Sequence, residues 1–193
     1  MSEYVTVFKK EAPRINQGDI YKDIELIEKL EEKDGFITIS KITYPLVVVL
    51  TQDCDLEQDY GNKKGKDQKD HDKYLLSVIV APIYNADFVF NGEHLSLLDY
   101  KMQNIKKVSS TKVNFTKNNE VPRYHYLDFL RKVPIPPSII DFKHFFTVNL
   151  EDLEANKQPN YICTISQLFR EKVSHRFANY LSRIGLPENI PGK

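Results

Sequence analysis

No run of about eighteen apolar residues occurs in this 193-residue chain, so the pattern offers no helix of membrane-spanning length. The opening Met1-Ser-Glu-Tyr-Val-Thr-Val7 lacks both a basic region and an apolar core, and no secretory leader is expected. Two cysteines, Cys54 and Cys163, are too few for a disulfide framework, which points to a reducing compartment, by default the cytoplasm. Neither HExxH nor CxxC spacing is present, so no metal and no other cofactor is expected, although Asp53, Asp55 and Asp141 are of the type that hard cations prefer. Net charge is also lacking: the formal total is zero. That argues against indiscriminate nucleic-acid binding, which draws its affinity from neutralised phosphates. The balance is uneven along the chain, with seven Lys/Arg against thirteen Asp/Glu in residues 1–60 and twenty against fourteen in residues 61–193, so a local basic groove stays open.

What is present is organised around Tyr44-Pro-Leu-Val-Val-Val-Leu50 and the polar Thr51-Gln-Asp-Cys-Asp55 that follows. The first stretch predicts a strand buried on both faces, and the second is what such a strand delivers to its open end, where a rigid support can carry a site. Tyr74–Tyr84 is the other fully apolar run and predicts its neighbour in the sheet. Gln17-Gly-Asp-Ile-Tyr21 opens an earlier strand. Ile24, Ile27 and Leu30 fit either a continuation of that strand or a short helix, and Asp34-Gly35 predicts a hairpin turn returning through residues 36–42. The charged stretch Asp59–Lys73 predicts a mobile surface loop, and residues 85–120 an irregular helical insertion into a single domain spanning 1–193. Arg123–Leu127 reads as a short strand. Ser138–Val148 reads as one strand with Ile140, Phe142, His144 and Phe146 on a common face. Thr164 is the predicted N-cap of a final helix whose apolar residues run from Ile165 to Ile184 and which Gly185-Leu-Pro187 stops.

Metal-free cleavage of RNA needs a base for the 2′-hydroxyl, an acid for the leaving oxygen and a cation for the phosphorane charge. Asp53, Asp55, Arg123, His125 and Lys143 are the candidate catalytic groups, with His144 beside them; Thr51, Gln52, Cys54, Tyr84 and Arg170 are the candidate ligand contacts. Each has a plainer reading. His125 and His144 fit hydrogen-bonded sheet residues, Asp53 and Asp55 fit caps of a tight turn, and the lysines at 101, 106, 107, 112 and 117 fit a solvated face. Asp53 and Asp55 would raise the pKa of Cys54 between them, against thiolate catalysis, and both cysteines read as small buried side chains.

The order of elements resembles the MazF/PemK family of toxin endoribonucleases. The resemblance is carried by Gly18–Tyr21, Tyr44–Leu50, Ser77–Tyr84, Ser138–Asn149 and the last helix with Cys163-Thr164 before it. It implies a mainly β fold with α elements, an SH3-like barrel with a helical insertion and a C-terminal helix. Where the family has an arginine before the proline this chain has Tyr44, and where it has a threonine after the next strand this chain has Tyr84. Thr51–Asp55, Arg123–Leu127 and Arg183–Pro187 also resemble uncharacterised bacterial proteins with a Thr/Ser-Gln-x-Cys-Asp motif, which imply no activity. Two functions therefore stand side by side: a bacterial nucleic-acid-directed toxin or defence protein acting as an endoribonuclease, or an inactive barrel serving as a ligand-binding or protein-interaction module. The partners expected are RNA, a protein encoded nearby and a second copy of the chain, with no membrane.

Overall fold

The structure is a computed structural model and describes residues 4–9, 12–65 and 71–183. Its centre is an antiparallel sheet built from β1 (Val7–Phe8), β2 (Asp19–Lys33), β3 (Phe36–Val49), β4 (Ser77–Asn85), β5 (Tyr124–Leu127), β6 (Ser138–Asp141), β7 (Phe146–Asn149) and β8 (Tyr161–Ile165). The strands lie in the order β1-β8-β2-β3-β4-β6-β5, with β7 also on β4. A parallel bridge between Val5 and Phe129 joins the two ends of that order, so the sheet curls back on itself. The fold is mixed α/β, and its curled sheet is compatible with a barrel.

The apolar run at the end of β3 is buried on both faces, as its composition predicts. Val48 packs with Ile20, Ala81, Ile140 and Phe142 on one side, and Val47 and Val49 with Tyr21, Val78 and Val80 on the other. Expected neighbours β3 and β4 pair through Val47–Val49 and Val80–Pro82. The open choice at Ile24, Ile27 and Leu30 resolves as strand. β2 and β3 form one long hairpin, and Asp34 and Gly35 turn it with φ of 54° and 81°, the left-handed pair that a tight turn requires.

Helices cover both faces. α1 (Asp53–Lys64) follows β3; α2 (Ala86–Asn91), α3 (Ile105–Val108) and α4 (Ser110–Lys117) fill the region after β4; α5 (Leu150–Ala155) and the single turn α6 (Lys157–Asn160) precede β8; α7 (Gln167–Leu181) ends the described chain. Phe169, Val173 and Phe177, four residues apart, bury one stripe of α7 in the Val48 core, each worth about 2 kcal/mol.

Four expectations are corrected. The surface loop expected from Asp59 is helical as far as Lys64, because Asp59 is buried, accepts the Leu75 amide at 2.8 Å and pairs with Lys63. Ser138–Val148 is not one strand: it breaks at Asp141 into a 3-10 turn over Phe142–His144, and β6 and β7 pair with different stretches of β4. Thr164 does not cap the last helix. It lies in β8 and donates to Asp19 at 2.6 Å, while Ser166 stands before α7. Cys54, expected to be buried, is exposed in the first turn of α1, whereas Cys163 is buried, its thiol pushed up to about 12 chiefly by that burial. The expected stop at Gly185-Leu-Pro187 lies outside the described residues.

Candidate functional site

The break in the expected strand builds the site. At the end of β6 the Asp141 carboxylate turns back and accepts the Lys143 amide at 3.0 Å, which holds the 3-10 turn and brings His144 round to the same carboxylate. His144 Nδ1 stands 3.2 Å from Asp141 Oδ2, close but not aligned for a hydrogen bond. β5 pairs with β6 so that Tyr124 faces Asp141, and the preceding Arg123 closes a fork on it: Nε donates to Oδ1 at 2.8 Å and Nη2 to Oδ2 at 2.5 Å. His94 arrives from the turn after α2, with Nε2 4.0 Å from Asp141 Oδ2. That turn needs Gly92, whose φ is +77° and where a Cβ would collide with the Met102 and Gln103 backbone. Tyr84, near the end of β4, places its ring 5.0 Å from that of His94 and 6.3 Å from that of His144.

Burial sorts these groups. The Asp141 side chain is 0% exposed and that of His94 1%, whereas Arg123 and His144 each show 22% and form the accessible edge. Burial drives His94 down to about 4 against the pull of Asp141, with the positive neighbours adding to the depression, and it lowers His144 in the same way. Both imidazoles are therefore neutral near pH 7. Burial also opposes the Arg123 charge, but the hydrogen bonds and charge of Asp141 outweigh it and raise its pKa. Burial, reinforced by neighbouring phenols and by Asp141, holds the Tyr84 hydroxyl protonated far above the usual range, and burial then Asp141 push Tyr124 up to about 12. Among the described residues both His94 nitrogens, His144 Nδ1 and the Tyr84 hydroxyl lack a well-formed hydrogen bond, although the Phe88 backbone lies close enough to His94 to favour its protonated form. This grouping offers proton acceptors, one phenolic donor and a fixed cation within one small volume. Among the described residues no three His, Cys, Asp or Glu side chains are disposed to hold a metal ion together.

The Thr51–Asp55 motif forms a separate centre. Thr51 Oγ1 accepts the Ile79 amide at 2.7 Å and ties the end of β3 to β4. Asp53, the first residue of α1, takes both Nη atoms of Arg14 at 3.1 Å, the Gln17 amide at 3.2 Å and Arg170 Nη1 at 3.4 Å. Burial would raise Asp53, but the Arg14 hydrogen bonds, the charges of Arg170 and Arg14 and the Gln17 amide together hold it below the usual carboxylate range. Gln17 continues the link by donating to the Leu50 carbonyl at 3.0 Å and to Ser174 of α7 at 3.3 Å. Gln52, Cys54 and Asp55 are exposed, and the Cys54 thiol leans on the side chains of the other two at 3.6 Å.

Of the candidates chosen from sequence, Arg123, Lys143, His144 and Tyr84 come together at Asp141, Lys143 through its amide with its side chain exposed. Asp53 and Arg170 meet at the other centre, and Asp53 shares no partner with Asp141. His125 is buried behind α7 and driven down to about 3, by burial first and then by Arg176 and Lys172. Asp55 reaches neither arginine fork. The five lysines of residues 101–117 are all exposed, one of them paired with Asp87. Sequence reasoning missed His94 and Arg14 as site residues. His94 carried one signal, a histidine two residues after the glycine that ends α2; Arg14 carried none, since its partner lies 39 residues away. No protein-family model matches the chain, and no curated protein shows significant similarity to it.

Proposed function

We propose that the protein is a nucleic-acid-directed endoribonuclease, of the toxin or defence type that a MazF/PemK-like SH3 barrel implies, with its chemistry at Asp141. The observation that carries this is the gathering of two neutral imidazoles, one guanidinium and one phenol around a single buried carboxylate. His144, on the accessible edge, takes the proton of a ribose 2′-hydroxyl, and Asp141 stabilises the imidazolium that forms. The 2′-oxygen attacks phosphorus, the bond to the 5′-oxygen breaks, and the Lys143 ammonium protonates the leaving oxygen. Arg123, whose Nη1 is not engaged with Asp141, faces the phosphorane charge. The products are a 2′,3′-cyclic phosphate and a 5′-hydroxyl. This arrangement would stand in for the family's arginine and threonine, replaced here by Tyr44 and Tyr84.

A second reading, an inactive barrel acting as a binding or interaction module, is favoured by a specific observation. Two of the Arg123 donors are spent on Asp141 and the His94 ring is closed off, which is also how a structural anchor for the residues after α2 would look. Purified protein incubated with bacterial RNA, with and without EDTA, separates the two. Cleavage to cyclic-phosphate ends that is lost in His144→Ala and retained in Asp55→Asn supports the enzyme. Intact RNA with folded wild-type protein leaves the module.

A further inference from the structure

The β2–β3 hairpin runs beyond the body of the protein as an arm. β8 pairs with β2 only at Asp19–Tyr21 and β4 with β3 only at Val47–Val49, and among the described residues no strand pairs with either edge beyond those points. Near the body the arm packs one face inward through Ile24 and Leu26 with their partners Tyr44 and Ile42. The other face follows from the register. On β3 the alternate residues Ile37, Ile39, Lys41 and Thr43 share it, and their partners across the hairpin are Glu32, Leu30, Ile27 and Glu25. Four large aliphatic side chains, Ile27, Leu30, Ile37 and Ile39, therefore stand on this outer face, each between 48% and 65% exposed. An isolated two-stranded ribbon is marginal in water, and a continuous apolar stripe on one is normally covered.

We propose that this outer face is a self-complementary docking surface on which a second copy of the chain lays its own arm, antiparallel, to form a homodimer. Three observations select that occupant. The charged residues frame the stripe asymmetrically, with Lys41, paired to Glu25 at 2.7 Å, near the base and Glu32 near the tip. Antiparallel arms bring base to tip, so Lys41 meets Glu32 of the second copy twice by symmetry while the aliphatic residues meet in the middle; parallel arms would crowd Glu32 against its own copy. Eight half-exposed aliphatic side chains with the flanking Glu and Lys stems bury roughly 1,000 Å² in total, the lower end for a specific interface, and fit a dimer in the micromolar range. The edge of β2 is guarded against sheet-edge pairing by Asp23 at φ 54°, by the register shift between Ile27 and Lys29 and by its charges, so on the β2 strand the face and not the edge is the surface open to association.

Sedimentation equilibrium of the full chain from about 1 to 200 µM, bracketing the affinity expected for such an area, tests the proposal. A concentration-dependent dimer is expected. Leu30→Glu and Ile39→Glu, at exposed positions that fold without them, should each be monomeric throughout, with an unchanged circular dichroism spectrum. Lys41→Glu should weaken the dimer about tenfold, and adding Glu32→Lys should restore it, although that second change cannot rebuild the pair with Glu25 inside one arm. A wild type that stays monomeric at the top of the range overturns the second copy as occupant and leaves the stripe to a different protein. A dimer that survives Leu30→Glu places the interface elsewhere, and a double charge variant as weak as the single one overturns the antiparallel arrangement.

Discussion

Asp53 and Asp141 are both gripped by an arginine fork, yet they are built for different ends. Asp53 has two arginines and a backbone amide for one negative charge, is partly open to solvent, and ties three distant segments together: residues 14–17, the start of α1 and, through Arg170, α7. Its counter-charge is more than complete. Asp141 is sealed, has one arginine, and is completed by two imidazoles that burial keeps neutral. A carboxylate over-supplied with cations is a clasp. One that leaves neighbouring nitrogens unpaired has groups beside it that the fold does not use, the physical difference on which the proposed chemistry rests.

The comparison breaks most directly by removing each carboxylate in turn. Asp141→Ala strands the Arg123 charge beside two neutral rings and should cost about 3 kcal/mol in urea unfolding, unless the arginine swings fully into water. A stability loss of about 1–2 kcal/mol or less, no more than is expected for Asp53→Ala, would remove the difference between the two centres. The acid limb of the stability profile comes next. His94 has a folded pKa of about 4 against 6.5, so its stabilising contribution is whole above pH 6.5 and is lost as pH falls to about 4, where the unfolded chain has taken a proton that the folded one refuses; this amounts to about 3 kcal/mol. His125, at about 3, acts with the same sign, so His94→Gln should remove part of that limb, not all. Asp53 is held below 3.8, and its contribution is lost only below that pH, so Asp53→Asn should leave the slope between pH 6.5 and 4 unaltered. Asp53→Ala, measured at pH 7, should cost about 1–2 kcal/mol because Arg14 and Arg170 can relax toward solvent. The smallest effect is expected for Asp55→Asn, within about 0.5 kcal/mol of wild type by thermal melting, since its carboxylate is exposed and, among the described residues, is contacted by the Cys54 thiol alone.

How much of this was legible in the sequence depended on the range of the interaction. Val47–Val49 announced a doubly buried strand because a continuous β-branched run has no other comfortable place, and Asp34-Gly35 announced its turn because few residue pairs accept two positive φ angles. Ser138–Val148 was misleading for a reason equally physical. Its alternation is sound, but Asp141 finds its own backbone and Arg123 better partners than a continued ladder, and the strand bends there. The same bend decided the site. Read along a straight strand, His144 lies on an apolar face with Phe142 and Phe146; turned through the 3-10 step, it reaches Asp141. Thr164 misled likewise, since its hydroxyl suits a helix cap until the buried Asp19 claims it.

By itself the sequence determined the local grammar of this protein: that Tyr44–Leu50 ends in a buried strand, where the hairpin turns, that the last segment is an amphipathic helix, although Ile165 of its expected repeat lies in β8 and Leu168 and Leu181 stand exposed, and that arginine, histidine and acid were on hand for chemistry. These follow from interactions among residues a few positions apart. Only the tertiary structure decided which arginine serves which carboxylate, that His94 crosses from the turn after α2 to Asp141, and that the hairpin leaves the body with an apolar face in water. Those pairings join residues 18, 39 and more positions apart. A charge pair across such a span depends on the folded path between its members, because a carboxylate buried without water takes whatever cation the path brings within reach.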